Sequence, residues 1–115
     1  MLYGCRALTS IDTTGWDTSN VTDMMFMFND CNSLTTLDLS NWDTSNVIDM
    51  SYMFAWCYEL TTIKGIIDMK SCTKYDGMFL ACHKLTGVKI KNPPSGIAAA
   101  SDIGGLAAGK YTIVS

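Results

Sequence analysis

The sequence predicts a repeat solenoid built from short strands with a helical or 3₁₀ turn in each coil, closed at its C-terminal end by an α/β cap. Three observations predict it. Cys5, Cys31, Cys57 and Cys82 recur at spacings of 26, 26 and 25 residues, and Trp16 and Trp42 also lie 26 apart. The stretch "GWDTSNVTDMMFMFNDCNSLTTLDLS" (15–40) lies on "NWDTSNVIDMSYMFAWCYELTTIKGI" (41–66) with most informative positions kept. A third copy, "IDMKSCTKYDGMFLACHKLTGVKIK" (67–91), is one residue shorter and more diverged, and the opening "MLYGCRALTSIDTT" matches the second half of a copy. The expected organisation is about 3.5 repeats over 1–91, starting in mid-repeat, and a cap over 92–115.

Within each copy "LTTLDLS" has the L-x-x-L-x-L pattern of a leucine-rich repeat, with Leu34, Leu37 and Leu39 inward and Thr36, Asp38 and Ser40 outward. Its equivalents are Leu8 and Ile11 before it, then Leu60, Ile63 and Gly65-Ile66, then Leu85, Val88 and Ile90. "NWDTSN" is rich in residues whose short side chains bond the nearby backbone, so it reads as a corner. Trp16 and Trp42 are expected to plug that corner, half buried. "NVTDM" and "NVIDM" alternate apolar and polar residues and predict a second short strand that buries Val21 and Met24, or Val47 and Met50. "SYMFAWC" places Met53, Phe54 and Cys57 at one-turn spacing, which predicts the helical or 3₁₀ turn. Such a unit cannot bury its own apolar face, so neighbouring copies must cover it. After Lys91 two prolines break the pattern; Ser95 caps an expected short helix through "GIAAASDI", Gly104-Gly105 ends it, and "KYTIV" reads as a last strand shielding the open end.

The chain has 115 residues, 48% hydrophobic content and a formal net charge of −3. That is enough for one small core, and there is no broad basic surface for nucleic acid. No run approaches the roughly 18 to 20 consecutive apolar residues that cross a bilayer, and no secretory leader precedes the repeats, so this segment is not expected to insert into a membrane.

"LTTLDLSNWDTSNVIDMSYMFAWCYELTTI", with its joint pattern W-D-T-S-N-V-x-D-M and M-F-x-x-C, resembles the 26-residue leucine-rich repeat of BspA-like bacterial surface proteins, which also occurs in surface lipoproteins. The resemblance covers about residues 1–91 and is strongest over 15–63. It implies a curved, non-enzymatic solenoid displayed on a bacterial cell surface or secreted, part of a longer chain, and used for adhesion or protein binding. It names no ligand residue. The third copy departs from it, with Ile67-Asp68-Met69-Lys70-Ser71-Cys72 in place of W-D-T-S-N-V.

The chemistry-bearing residues fit this register. No C-x-x-C pair or Cys/His spacing forms a zinc set, and Cys72 occupies the column of Val21 and Val47, so the cysteines read as small core hydrophobes, with a disulfide or a metal as weaker alternatives. Asp17, Asp43 and Asp68 form one column and Asp23 and Asp49 another. Stacked like charges need compensation, either Asx-type bonds to turn amides or, against the absence of a Gly-rich ligand loop, calcium. Gly104 to Lys110 fits G-x-x-x-x-G-K, but Tyr111 stands where a Ser or Thr would hold magnesium, and a strand-like segment follows where a helix is required. His83, the single histidine, shares a variable column with Arg6, Asn32 and Tyr58 and has no catalytic partner at a readable spacing. No cofactor and no enzymatic activity are expected.

Recognition is expected where packing does not dictate the residue. Outward strand positions change from Asp12 through Asp38 to Lys64 and Lys89, and Trp56 shares its slot with Gly4, Asp30 and Ala81. These five residues, Asp12, Asp38, Lys64, Lys89 and Trp56, are the candidate contacts for an unknown protein or glycan ligand. The alternative is a structural spacer in a larger surface or phage-appendage protein.

Overall fold

The computed structural model describes residues 9–94 and 102–114. Alternation of apolar and polar residues produces five short strands: β1 (Thr36–Asp38), β2 (Thr62–Lys64), β3 (Ile66–Asp68), β4 (Val88–Lys91) and β5 (Tyr111–Val114). β1 and β2 form one parallel pair with Leu37 opposite Ile63 and Asp38 opposite Lys64. β3, β4 and β5 form a second parallel sheet in which Ile67 lies opposite Ile90 and Val88 opposite Tyr111. Equivalent residues of successive copies meet side by side in the first pair, whereas in the second sheet the partners are not repeat equivalents; in both, apolar residues face inward. Leu34, Leu37, Leu39, Leu60, Ile63, Leu85, Val88 and Ile90 are all buried.

The solenoid with a helical or 3₁₀ turn per coil and an α/β cap is corrected by the structure. Among the described residues there is no helix of any kind, and the regular structure consists of two small parallel sheets of two and three strands. The chain closes into a compact globule with a radius of gyration of 12.7 Å, near the roughly 13 Å of a globular domain of about 100 residues.

Backbone hydrogen bonding explains the missing helix. In Met24–Cys31 the amide donors alternate. Those of Met24, Phe26, Phe28 and Asp30 reach the carbonyls of Asp49, Ser51, Met53 and Ala55 in the next copy, at 2.8–3.1 Å. Those of Met27, Asn29 and Cys31 bond three residues back in their own segment. The pattern repeats one copy on, where Met50, Tyr52, Phe54 and Trp56 donate to Lys74, Asp76, Met78 and Leu80. A helix would keep every donor inside its own segment. Successive tight turns free every second amide for the neighbour, and each pair of turns needs left-handed residues: Phe26, Asp30, Tyr52, Trp56, Gly77 and Ala81 all have φ between 56° and 66°. The M-F-x-x-C spacing still buries Met53, Phe54 and Cys57, because two tight turns return side chains to the core much as one helical turn does.

Three smaller expectations also change. The second strand reduces to isolated parallel bridges from Asp23 to Asp49 and from Asp49 to Lys74, although Met24, Val47 and Met50 are buried as expected. Gly65-Ile66 does not continue the inward row: Ile66 is 43% exposed, and Ile67 is the buried residue. Trp42 is buried rather than half buried, stacked between Trp16 and Phe28 with centroids 5.7 Å away on either side. Its indole N–H is the single buried side-chain polar group without a hydrogen-bond partner among the described residues.

Aromatic columns run through the core. Phe28, Phe54 and Phe79 stack nearly parallel at 5.7 and 5.3 Å, each pair adding about 0.5–1.5 kcal/mol beyond area burial. Side-chain hydroxyls bridge neighbouring copies where their backbones do not meet. Thr44 is buried, donates to the Asp68 carbonyl at 3.0 Å and accepts from the Asp68 amide at 2.8 Å; Thr18 does the same at Asp43. The segment after Lys91 joins the same structure, since β5 extends the β4 sheet and Ile103, Leu106 and Tyr111 enter the core. The Phe79 amide donates to Gly104 at 2.7 Å, so the turn at Gly104-Gly105 accepts the bond that a following copy would have taken. The expected repeat matches of Met1, Leu2, Gly4, Cys5, Arg6 and Leu8, and the helix started by Ser95, lie outside the described residues, except for the last two residues of that helix.

Gly65 is constrained by both conformation and space. Its φ is +95°, and a Cβ there would lie 2.8 Å from the Ser40 nitrogen and 2.9 Å from the Leu39 carbonyl carbon. Gly65→Ala is expected to lower the urea unfolding free energy by about 1–3 kcal/mol. Gly87→Ala, at φ +69° but facing open space, should cost less. Equal losses would show that crowding at Gly65 contributes nothing.

Candidate functional site: an exposed aromatic ridge beside a charged strand face

The five candidate contacts are divided between strands, turns and the segment before β1. Asp38 and Lys64 are brought together as register partners on β1 and β2, and both are exposed. Asp12 lies on the preceding segment, whose Thr13 hydroxyl donates to the Asp38 carbonyl at 2.7 Å. Lys89 is exposed on β4, opposite Ile66 and Thr112, in the other sheet. The acidic-to-basic row is thus divided where Gly65 bends the chain between β2 and β3. Trp56 belongs to the turns instead of the strands and is 41% exposed.

Around Trp56 the structure assembles residues that single-column reasoning does not join. Tyr58 meets the indole edge to face at 6.0 Å, and His83 stacks on Tyr58 at 5.7 Å. The sequence signal for the second contact is present, because Tyr58 and His83 share a column one copy apart. Beside them, the Asn32 amide donates to Asp30 Oδ1 at 3.4 Å, and Lys84 pairs with Glu59 at 2.7 Å on the surface. Phe26 and Tyr52 form another stack at 5.3 Å on the same run of turns. The ring of Tyr52 also occupies the space a side chain at Gly77 would need. Ala55, in a variable slot beside Trp56, is buried, and its carbonyl accepts the Asp30 amide.

The aspartate columns are organised by turn amides. Asp12, Asp17, Asp23, Asp38, Asp43, Asp49 and Asp68 each accept a bond from the amide two residues on, at 2.9–3.0 Å. Ser19, Ser40 and Ser45 add hydroxyl bonds to Asp17, Asp38 and Asp43 at 2.7, 2.5 and 2.5 Å. The serine hydroxyl first and the turn amide second hold these three carboxyls below their ordinary 3.8; at Asp38, Lys64 adds a smaller pull in the same direction. Asp12 is lowered in the same sense by Thr14. Among the described residues no three His, Cys, Asp or Glu side chains converge as a metal would require.

The four described cysteines are free thiols, and three of them serve the backbone. Cys57 donates to the Phe28 carbonyl at 3.1 Å and Cys82 to the Phe54 carbonyl at 2.9 Å, each one copy away. The neighbouring Cys82 thiol and then burial push the Cys57 thiol far above its ordinary range. Burial raises Cys72, which lines a cleft of about 430 Å³ with Lys70, Tyr75 and Asn92 but donates to the Lys74 carbonyl at 3.3 Å. Neither Cys57 nor Cys72 is a thiolate nucleophile near neutral pH. The Gly104–Lys110 stretch holds a tight turn, with Ile103 and Leu106 bonded to each other, and leads directly into β5, so no helix follows to receive a phosphate.

A model of the family described as Mycoplasma protein of unknown function, DUF285, matches residues 1–92. The chain belongs to this family. The match takes in all three complete copies and stops one residue beyond β4, so in this DUF285 chain β5 lies past the matched region. No curated protein and no solved structure matches the chain. No helix among the described residues is long and apolar enough to cross a membrane.

Two measurements check the site chemistry. The depressed carboxyls of Asp17, Asp38 and Asp43 favour the folded state fully above pH 3.8, and that contribution is lost as pH falls through their lower folded values. The melting temperature should therefore fall below pH 3.8, and replacing Ser19, Ser40 and Ser45 by Ala should make that fall shallower while lowering stability at neutral pH. Labelling with a thiol-reactive disulfide reagent, mapped by mass spectrometry, should leave Cys57, Cys72 and Cys82 unmodified in the folded chain and modify all three in urea.

Proposed function

We propose that the chain is a non-enzymatic recognition module of the BspA-like kind, displayed on a bacterial surface, that binds protein or glycan ligands in adhesion. One observation carries the reading: most core positions repeat from copy to copy, whereas a subset of surface slots changes and gathers aromatic and charged side chains. Asp30, Trp56 and Ala81 occupy one backbone conformation with three unrelated side chains. Asp38 and Lys64 stand side by side with opposite charges on otherwise equivalent strands. Packing requires none of these choices, and exposed aromatic and charged groups are what recognition uses. Surface display and membership of a longer chain rest on the resemblance of the repeats to BspA-like proteins. The absence of enzymatic activity is supported by thiols held as backbone donors and by acids committed to turn amides.

The test is adhesion of cells and capture of extracellular-matrix proteins by the immobilised chain. Charge reversal by Lys64→Glu with Lys89→Glu should weaken capture by about tenfold if both lysines are contacts, each contributing several tenths of a kcal/mol to the steering and docking of an acidic partner. Unchanged capture would remove the strand face from the binding surface. A parent chain that captures nothing would point to a structural spacer.

A further inference from the structure

We infer that the exposed indole of Trp56, flanked by Tyr58, is a stacking surface for a neutral oligosaccharide; the two ring planes lie at 67° and His83 stacks on Tyr58, so the indole is the face offered to a sugar. The inference rests on the recognition-module reading and specifies its ligand class. The residues form a small grid made by the copies themselves: Asp30, Trp56 and Ala81 fill one column, and Asn32, Tyr58 and His83 fill the next. The middle row is aromatic and exposed, with Trp56 at 41% and Tyr58 at 38%.

Four features favour a sugar. A pyranose ring presents polarised C–H groups on its face and hydroxyls around its edge, and the negative face of an indole or phenol attracts the former. Asp30 and Asn32, themselves joined at 3.4 Å, place carboxylate and amide groups in the row beside the rings, where they supply acceptors and donors for the hydroxyls. Ala81 offers only a methyl on the other side of Trp56, so no second large ring crowds the indole. Lys84 beside the ridge is paired with Glu59 at 2.7 Å and the Asp30 carboxylate adds negative charge, so the surface disfavours a phosphorylated, sulfated or sialylated ligand.

The platform is also pre-organised. The Trp56 amide donates to the Leu80 carbonyl at 2.7 Å, its φ is +66°, and the edge-to-face contact with Tyr58 limits the indole. Little side-chain freedom remains to be lost on binding. Trp56→Ala is a clean probe, because Ala81 already holds the same left-handed conformation in the next copy, with φ 61°.

The experiment titrates β-linked glucose, galactose and N-acetylglucosamine oligomers into the chain and follows tryptophan fluorescence and calorimetric heat. At least one series is expected to bind, with affinity reduced about tenfold or more in Trp56→Ala at an unchanged melting temperature, and with Trp16→Phe binding like the parent. Saccharide binding undiminished by Trp56→Ala, or binding confined to sialylated or sulfated glycans, would overturn the assignment. Capture of matrix proteins without any saccharide binding would overturn it while leaving the recognition module standing. Loss of both would bring down both.

Discussion

Everything in this chain depends on the alternation of amide donors in the turns. Every second N–H between Met24 and Asp30, and again between Met50 and Trp56, bonds to a carbonyl one copy further along. A buried amide left without a partner costs about 1–3 kcal/mol, so no single copy satisfies its own backbone. The neighbours also set the residues. Left-handed conformations at positions 26, 30, 52, 56, 77 and 81 cost roughly 1–2 kcal/mol each for a side chain other than glycine, and they persist because the donors they redirect find acceptors only in that geometry. The phenylalanine column, the thiol donors and the threonine bridges all follow from copies held in register at this spacing. Cys57 and Cys82 reach back to carbonyls that already accept an amide from their own turn, and so use the second lone pair of the same oxygen.

Much of this was legible, and the unread part has a common cause. The inward row of Leu34, Leu37 and Leu39 could be read because alternation along a strand is local. The register of Cys57 and Cys82 could be read because recurrence needs only counting. The helical turn was misread because side chains at i, i+1 and i+4 meet one face equally well in a helix and in two successive tight turns; what separates them is the destination of the amides, which lies a copy away. Gly77 in the column of Phe26 and Tyr52 is the trace the sequence does carry, since a glycine among aromatics marks a strained backbone position. The buried role of Ile67 was hidden because Gly65 turns the chain between β2 and β3, which places Ile67 rather than Ile66 in the inward row.

The candidate surface divides in the same way. Exposure of Trp56, Lys64 and Lys89 followed from comparing columns, although variation alone does not guarantee it: Ala55 also sits in a variable slot and is buried. The contact of Trp56 with Tyr58 and the placement of Lys89 and Lys64 in different sheets depend on how adjacent columns turn relative to each other, and no periodicity encodes that angle. His83 was set aside for want of a catalytic partner, yet its stacking on Tyr58 needs none.

The slot shared by Asp30, Trp56 and Ala81 has a further consequence. Its backbone is left-handed whatever side chain it carries, and that side chain does not enter the core row on the opposite side of the turn. A carboxylate, an indole and a methyl are thus all accommodated there on one backbone conformation. The chain behaves like a keyboard of equal sockets, in which what is displayed can be rewritten one socket at a time without retuning the frame.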